Sequence, residues 1–516
     1  MEVIRPLFFL TLFGLGLLLL QEIQLFLLEV YIKHQYDVND NSRATVSFYR
    51  SSLINIVGNK FVGVTLSCNL IKHKWKHFDL GSEKMLTLAR GLTPSYVRVG
   101  GTDCDFLIFN MTEDTTLRFK PQAQYVVEGE FGKTGTNFTM TPEDLDKLNL
   151  FTQDVGWDLI FDFNVFLRKN GQWDPTNAIE LLKYTVKQGY KPAGYELGNE
   201  PNSYYHNFHF RIPGNLMSTY FKTLQSALDS FPKLGTPIII GPDTTQMKRK
   251  SARNYLTLFL SSGGGKSVDV ATFHHYYFDS KTATVEQFYN PTILDSLTPQ
   301  VITAVDICRQ NAPGKQCWLG ETSSAYGGGA YGLSDRYVAG FLWLDKLGLS
   351  ALNGLQGVLR QSFYGGNYAL IDEDLNPNPD YWLTLLYKRL VGGRVLSLGQ
   401  QSNPNLRVYA HCTNINSTMG YSKGDITVYV INLSKDVITV NITGIPVSTR
   451  HLYILSPGDD SGLTSQYVKL NGEVLMLPND EQLPTLKPEI QQGNVLLQGY
   501  NMGFIVIPGA NKHDCL

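Results

Sequence analysis

Two glutamates follow apolar, strand-like segments and are placed to act as a catalytic pair. Glu200 closes the segment GYELGNE, between Asn199 and Pro201, and Glu321 closes QCWLGE, ahead of a Gly-rich stretch. Retaining glycoside hydrolysis requires a carboxylic acid that protonates the leaving oxygen and a carboxylate, about 5–5.5 Å away, that attacks the anomeric carbon. A single glutamate at a strand end is more often an ion-pair member, but two on strands that face each other favour catalysis.

Polar residues near this pair suit an orienting role. The Asn199 amide can hydrogen-bond a sugar 2-hydroxyl, a contact that strengthens in the transition state. His274 and His275 end another strand-like segment. Because successive strand residues point to opposite faces, only one of them is expected to face the site, together with Tyr276. No third ligand is spaced to join the two histidines, so we expect no metal and no cofactor.

Eight β-rich segments alternate with amphipathic helical patterns and are expected to position these residues. Polar residues gather at the carboxyl end of segment after segment. This favours a (β/α)8 barrel, since a doubly wound open sheet would use mainly its switch point. Strand alternation places Glu196 deeper than Glu200, where it can pair with Arg98. The predicted strands span residues 61–68, 95–101, 158–164, 193–200, 237–243, 267–277, 316–321 and 355–364.

Beyond about residue 390 the pattern changes to short strands separated by Gly, Asn, Asp and Pro turns, without helices between them. This spacing is typical of a β-sandwich. The fold class is therefore α/β, a (β/α)8 barrel with a C-terminal β-sandwich. The predicted plan is a leader at 1–24, a segment at 29–55 that joins the sandwich, a barrel at 56–388 interrupted by an irregular insertion at 110–156, and the sandwich at 389–516.

Composition narrows the class of protein. The 516 residues are 43% hydrophobic and 17% charged, which allows a sizeable core and excludes disorder. A net charge of −2 argues against a nucleic-acid partner that is held by a global basic field. A polyanionic substrate would have to meet a local basic patch, for which Lys248, Arg249, Lys250 and Lys281 are the candidates.

Export is predicted by the first residues and by the sequons. Residues 6–20 are almost wholly apolar and follow Arg5, which favours a signal peptide over an uncleaved membrane anchor. We expect the secretory pathway, with membrane contact only through the substrate or an uncleaved leader. The predicted N-glycosylation sites are Asn110, Asn137, Asn416, Asn432 and Asn441.

Long motifs, ordered along the chain, resemble those of the heparanases, secreted endo-β-glucuronidases of heparan sulfate. They include YELGNEPNS, TFHHYY, WLGETSSAYGGG, GNYALIDE and PDYWLTLLYKRLVG. The resemblance implies a (β/α)8 barrel with a β-sandwich, a retaining mechanism, Glu200 as acid/base and Glu321 as nucleophile. It also implies heparan sulfate or a heparin-like glycosaminoglycan, carried on proteoglycans, as the substrate, and an extracellular or lysosomal location.

The resemblance further implies a set of sugar-binding positions. Backbone amides of Gly-rich loops and a Tyr hydroxyl can hold a uronate carboxylate, and Lys suits sulfates. The chain departs from the family at Ser67, where the family has Asp, and in the shortened linker at 110–156, which has no recognisable cleavage-site residues. The implied or candidate substrate-binding residues are Asn69, Thr102, Asn199, Gln246, Lys248, His274, Tyr276, Lys281, Tyr326, Gly327, Gly328, Gln361, Gly366 and Tyr368.

The six cysteines form three candidate pairs, and the reason to expect a disulfide differs from pair to pair. Cys412 and Cys515 match the disulfide of the heparanase sandwich. Cys68 and Cys104 follow neighbouring strands, which predicts a bridge near the cleft. Cys308 and Cys317 bracket a short helix-to-strand loop and are either a bridge or plain core residues.

The sequence is compatible with three hypotheses. The first is a retaining endo-β-glucuronidase of heparan sulfate. The second is an exo-β-glucuronidase of the same fold, favoured if the shortened linker closes one end of the cleft. The third is a catalytically silent heparan sulfate binder, against which the intact NEP and WLGET motifs argue.

Overall fold

The structure is a computed structural model that describes residues 42–76, 78–111, 136–399 and 403–516. The predicted leader at 1–24, residues 29–41 of the N-terminal segment and residues 112–135 of the insertion lie outside the described residues. No helix in the described ranges is long and apolar enough to span a membrane.

Eight parallel strands close into a barrel in which each strand pairs with the next along the chain, and the last strand pairs with the first. The strands are rich in Val, Ile and Leu and largely buried, as expected for a parallel sheet covered by helices. They are β1 (Val62–Ser67), β2 (Ser95–Gly100), β3 (Trp157–Phe163), β4 (Gly194–Leu197), β5 (Ile238–Thr244), β6 (Val270–His275), β7 (Gln316–Thr322) and β8 (Gly357–Arg360).

One long helix follows each strand. The helix after β2 illustrates the local signals. The Thr141 hydroxyl accepts a hydrogen bond from the Asp144 N–H, and the Asp144 carboxylate accepts one from the Thr141 N–H, while Gly156 (φ 69°) ends the helix. The eight helices are α1 (Glu83–Gly91), α2 (Pro142–Val155), α3 (Thr176–Gln188), α4 (Gly214–Asp229), α5 (Lys250–Phe259), α6 (Thr298–Asn311), α7 (Ala339–Leu352) and α8 (Pro379–Leu390).

Two further sheets pack face to face over an apolar core of Val, Ile and Leu. The smaller sheet contains Arg43–Ser47, Ile438–Thr443 and Val495–Leu497, and Arg43–Ser47 runs parallel to its neighbour. The larger sheet contains Leu53–Ile56, Val391–Leu396, Leu406–Thr413, Ile426–Asn432, Thr449–Pro457, Val468–Leu470, Glu473–Val474, Glu489–Gln492 and Met502–Ile507.

The sandwich packs against α7 of the barrel. The Tyr409 hydroxyl donates to the buried Asp345 carboxylate at 2.6 Å, and Arg407 pairs with Asp295 at 2.7 Å. A residue larger than glycine would not fit at Gly348, because a Cβ there would lie 2.4 Å from the Tyr409 ring. The two parts therefore meet through a close, partly polar contact.

The predicted (β/α)8 barrel and β-sandwich are confirmed, and the alternative of an open sheet is excluded by the closed strand order. Each of the eight predicted segments overlaps a barrel strand. The fourth ends earlier than expected: β4 stops at Leu197, and Glu200 lies three residues later in a turn.

Candidate active site

Glu200 sits in a turn directly above β4. Its backbone is left-handed (φ 52°), and its N–H donates to the Asp243 carbonyl at the end of β5 at 3.0 Å. A non-glycine residue in this conformation is uncommon and is often held at a functional position by its surroundings. One carboxylate oxygen lies 3.0 Å from the Nδ1 of His274, and 27% of the Glu200 side chain is exposed to the barrel mouth.

Glu321 lies within β7, close to its carboxyl end, and both of its carboxylate oxygens accept hydrogen bonds. The Arg98 guanidinium donates to one oxygen at 2.9 Å, and the Tyr276 hydroxyl donates to the other at 2.6 Å. Only 12% of the Glu321 side chain is exposed. The two glutamates thus differ in setting, since Glu321 is held by two donors and Glu200 is more open to solvent.

Arg98 of β2 connects the floor of the site to Glu321. Its side chain is fully buried and bonds Glu196 at 2.6 Å and Asp243 at 2.8 Å, besides Glu321 and the Asn199 side-chain carbonyl at 3.1 Å. Although burial opposes the charge, these carboxylates raise the pKa of Arg98 well above its ordinary value. The predicted pair of Arg98 and Glu196 is confirmed.

His274 is the member of the histidine pair that faces the site. Burial opposes its charge, but the field of Glu321 and the contacts with Asp243 and Glu200 raise the pKa of His274 from 6.5 to about 10. His275 points into the opposite layer, where burial and the nearby Lys346 keep its pKa well below the ordinary value. His274 is therefore an imidazolium at neutral pH, and its Nδ1–H donates to Glu200.

Four buried carboxyl groups lie beneath the site, and of these only Glu196 was considered from the sequence, as a partner of Arg98. Burial raises the pKa of Asp105, Asp162 and Glu196 well above the ordinary range, whereas Arg98 and His274 lower that of Asp243. The Asp105 carboxylate accepts from the Tyr204 hydroxyl at 2.9 Å. The only available sequence signal was their position near the ends of β2, β3, β4 and β5.

Several predicted substrate-binding residues are brought together around the glutamates. The Asn199 amide donates to the Thr102 hydroxyl at 3.4 Å, and the Gln361 amide donates to the Tyr368 hydroxyl at 3.3 Å. The Tyr368 ring stacks on Tyr276, with 6.3 Å between centroids. Loops after β2, β4, β6 and β8 thus converge over one mouth of the barrel.

The Gly-rich loop after β7 is tied to the loop after β6. Phe278–Asp279 pairs with Ala325–Tyr326, and the Ser280 hydroxyl donates to the Gly327 carbonyl at 3.3 Å. The Asn367 N–H donates to the Gly328 carbonyl at 2.7 Å, next to exposed Gly366. The loops of β6, β7 and β8 therefore form one continuous wall.

The remaining predicted residues lie on the same face without a hydrogen bond between their side chains and the two glutamates. Asn69 follows β1 and is exposed, Gln246 follows β5 and is half-buried, and Lys248 and Lys281 are exposed. Among the residues described, neither lysine forms an ion pair, and no group of three potential ligands could hold a metal ion.

Two disulfides are present, Cys68–Cys104 beside the site and Cys412–Cys515 in the sandwich, each with Cα atoms 5.3 Å apart. Of the sequons, Asn137 and Asn416 are exposed, and Asn110 and Asn441 are partly so.

Asn432 differs from the other sequons because it is fully buried, and its amide donates to three backbone carbonyls. That burial contradicts its prediction as a glycosylation site in the folded protein, since an attached glycan could not be accommodated there.

Comparison with known proteins agrees with this fold. The glycosyl hydrolase family 79 N-terminal domain matches residues 52–348. Heparanase of Mus musculus is 37% identical over 91% of this chain and 94% of its own length. Hyaluronoglucuronidase of Hirudo nipponia is 35% identical (90% and 97% covered), and inactive heparanase-2 of Homo sapiens is 33% identical (90% and 88%).

Among solved structures, the 4-O-α-L-rhamnosyl-β-D-glucuronidase of Fusarium oxysporum 12S has the same fold. Its TM-score is 0.67 at 16% identity, over 90% of this chain and 100% of that one. The family model covers more than half of the chain, and the relatives cover nearly all of it. The chain belongs to glycosyl hydrolase family 79 and is a glycoside hydrolase.

Proposed function

We propose that the protein is a retaining endo-β-glucuronidase that cleaves internal glucuronide bonds of heparan sulfate, with Glu321 as nucleophile and Glu200 as acid/base. The observation that carries this proposal is the different setting of the two glutamates. Glu321 accepts from Arg98 and Tyr276, which suits a carboxylate that attacks as an anion, while Glu200 is more exposed and can exchange protons with solvent.

The chemistry follows from these contacts. A Glu321 oxygen attacks the anomeric carbon while Glu200 gives its proton to the leaving glycosidic oxygen, which forms a covalent glycosyl-enzyme. Glu200 then takes a proton from a water molecule that attacks the same carbon and releases Glu321. The Asn199 amide, held by Arg98 and close to Thr102, is placed to bind the sugar 2-hydroxyl.

His274 has a supporting role in this scheme. As a buried imidazolium it donates to Glu200 and balances the negative charge that Glu200 gains after it has protonated the leaving group. Its far nitrogen lies 3.5 Å from Asp243, which is itself paired with Arg98. The proton on His274 is thereby kept in place through the catalytic cycle.

A glycosaminoglycan substrate is supported by the exposed cations near the mouth. Lys248, Arg249 and Lys250 follow β5, and Lys281 follows β6. Sulfate groups suit such point charges, whereas a chain without sulfates would gain less from them. This arrangement favours heparan sulfate over hyaluronan, the substrate class named by the Hirudo nipponia relative.

The alternatives of exo-action and of binding without turnover are distinguished by the products. The relative named inactive heparanase-2 keeps the silent binder among the outcomes to be tested. We also propose passage through the secretory pathway to an extracellular or lysosomal location, with glycans on Asn110, Asn137, Asn416 and Asn441.

The first prediction concerns Glu321. The protein should convert heparan sulfate into oligosaccharides, and Glu321→Gln should lower kcat by a factor of roughly 10⁴, since removal of a nucleophile costs rates of that order. The measurement is the size distribution of the products, with heparan sulfate and hyaluronan tested as substrates in parallel. The matched control is Glu286→Gln, an exposed glutamate on another loop.

The result decides among the alternatives. Release of only monosaccharide would support the exo-glucuronidase, faster cleavage of hyaluronan would reassign the substrate, and binding without products would support the silent binder. Unchanged depolymerisation by Glu321→Gln would overturn the nucleophile assignment. Adding azide to Glu321→Gly should yield a glycosyl azide of inverted configuration, which tests the retaining mechanism.

A further inference from the structure

The two cysteines outside the disulfides pack sulfur against sulfur. Cys308 lies in the last turn of α6, and Cys317 is the second residue of β7. Their Sγ atoms are 3.1 Å apart. Non-bonded heavy atoms prefer separations of about 3.5–4.0 Å, and a disulfide bond measures about 2.05 Å. The contact is therefore closer than ordinary packing and requires only a small movement to become a bond.

Both positions are held by the surrounding backbone. The Ala312 N–H donates to the Cys308 carbonyl at 2.7 Å as the helix ends, and the Cys317 N–H donates to the side-chain carbonyl of Gln356 at 3.1 Å. Cys308 and Cys317 are 3% and 4% exposed. The two sulfurs face each other because the helix and the strand are fixed, and not because a mobile loop happens to approach.

We propose that Cys308 and Cys317 form a third disulfide in the mature, oxidised protein. Two thiols lose two protons and two electrons as the sulfur–sulfur bond forms. The electrons reduce a disulfide-class oxidant, such as glutathione disulfide, to two thiols. This inference does not depend on the proposed substrate.

The bond must form before the barrel closes around it. The contact with Cys308, together with burial, raises the pKa of the Cys317 thiol well above its ordinary value, so the folded protein holds almost no thiolate there. Disulfide exchange needs a thiolate and access to the attacking group, and the folded chain offers neither. For the same reason the finished bond resists reduction.

Its position gives the bond a structural consequence. It ties the end of α6 to the start of β7, the strand that carries Glu321 four residues further on. The connection that it closes is short and contains Gly314 with φ 80°. A bond there restricts the unfolded chain and fixes the lower end of β7.

Peptide mapping tests the proposal. The full chain is secreted from a eukaryotic host, brought to complete oxidation of Cys412–Cys515 in a glutathione redox buffer, denatured with N-ethylmaleimide and digested with trypsin without reduction. Cleavage after Arg309 and Lys315 separates the two cysteines into peptides Thr282–Arg309 and Gln316–Arg336.

The expected product is these two peptides linked, two hydrogens lighter than their sum and separated by a reductant. Maleimide on both cysteines, or a link from either one to another cysteine, would overturn the proposal. The Cys412–Cys515 peptides are the internal control, since their bond is present in the structure.

Thermal unfolding of three variants provides a second readout. If the bond exists, Cys308→Ala, Cys317→Ala and the double variant should lower the melting temperature by nearly the same few degrees, because each removes the same cross-link. If the two thiols merely pack, each single variant should lose less than the double variant. Nearly additive losses would contradict a disulfide.

Discussion

The hydroxyl of Tyr276 donates a hydrogen bond to a carboxylate oxygen of Glu321 at 2.6 Å. Burial and the adjacent Glu321 raise the pKa of Tyr276 well above its ordinary value, so the hydroxyl stays protonated and remains a donor. It orients Glu321 from the side opposite Arg98.

The second prediction is that Tyr276→Phe lowers kcat by roughly ten- to hundredfold, since a hydrogen bond to a charged group contributes about 1.5–3 kcal/mol. Steady-state kinetics on a defined oligosaccharide would measure it. Tyr331→Phe, at a residue that is 83% exposed, is the matched control and should change little. Equal effects of the two variants would contradict the role of Tyr276.

The third prediction concerns His274, whose folded pKa of about 10 lies above the ordinary value of 6.5. A raised pKa means that protonation stabilises the fold. The stability that protonated His274 adds to the fold is fully present below about pH 6.5 and is lost as the pH rises through about 10. The melting temperature should therefore fall between those limits, and His274→Asn should reduce that fall.

His411 supplies the opposite control. Burial lowers its pKa to about 4, so its contribution is present above about pH 6.5 and is lost as the pH falls through about 4. His411→Asn should therefore change the acidic limb of the stability profile and leave the alkaline limb intact. An unchanged alkaline limb in His274→Asn would contradict the charge assigned to His274.

At the scale of elements, β6 and β7 are joined behind the site by a buried lysine of α7. The Lys346 Nζ donates to the Thr322 hydroxyl at 2.5 Å and to the Ser323 carbonyl at 2.7 Å, while the Thr322 hydroxyl donates to the His275 carbonyl. Burial and the nearby Arg360 lower the pKa of Lys346 well below its ordinary value. These bonds fix the backbone beside Glu321.

The fourth prediction is that Lys346→Met lowers kcat by roughly tenfold with little change in KM, because Glu321 loses its backbone support while the substrate contacts remain. Lys388→Met is the matched control. Lys388 is a half-buried lysine that donates to the Val62 carbonyl at the start of β1, far from the carboxyl ends of the strands. A similar kcat loss in both variants would indicate general destabilisation.

At the scale of the whole molecule, the net charge is only −2, but positive and negative groups are unevenly distributed. The floor of the site holds buried carboxyl groups around Arg98, and the exposed cations Lys248 and Lys281 lie on loops of the same barrel face. Attraction of a polyanion therefore depends on local placement, and the rest of the surface contributes no net positive field.

The fifth prediction follows from that distribution. Lys248→Ala combined with Lys281→Ala should raise KM for heparan sulfate about fivefold, leave kcat nearly unchanged and weaken the dependence of KM on salt, since exposed ion pairs each contribute about 0.2–1 kcal/mol. Lys183→Ala with Lys187→Ala on α3 removes the same charge elsewhere. If both double variants behave alike, binding is not localised to the mouth.

The eight strands, the sandwich and the two candidate glutamates could be predicted from the sequence. Alternation of apolar and polar residues is local, and a motif such as NEP or WLGET is read from neighbouring positions. Such local patterns do not show which residues, far apart in the sequence, will contact each other in the folded chain. Asp105 resembles an ordinary loop residue and Asp243 an ordinary strand end until closure of the barrel buries them beside Tyr204 and Arg98.

The tertiary structure also decided which histidine faces the site, which sequon is buried and which cysteines meet. His274 and His275 are adjacent in sequence but lie in different layers, so only the strand register separates an imidazolium from a neutral ring. The sequon at Asn432 looks like the others in the sequence, and only the folded sheet shows that its amide is buried and hydrogen-bonded. The sequence by itself determined the elements and the type of chemistry, because those depend on local residue patterns. Burial and charge at each group were decided by the folded chain, because they depend on which distant side chains the barrel brings together.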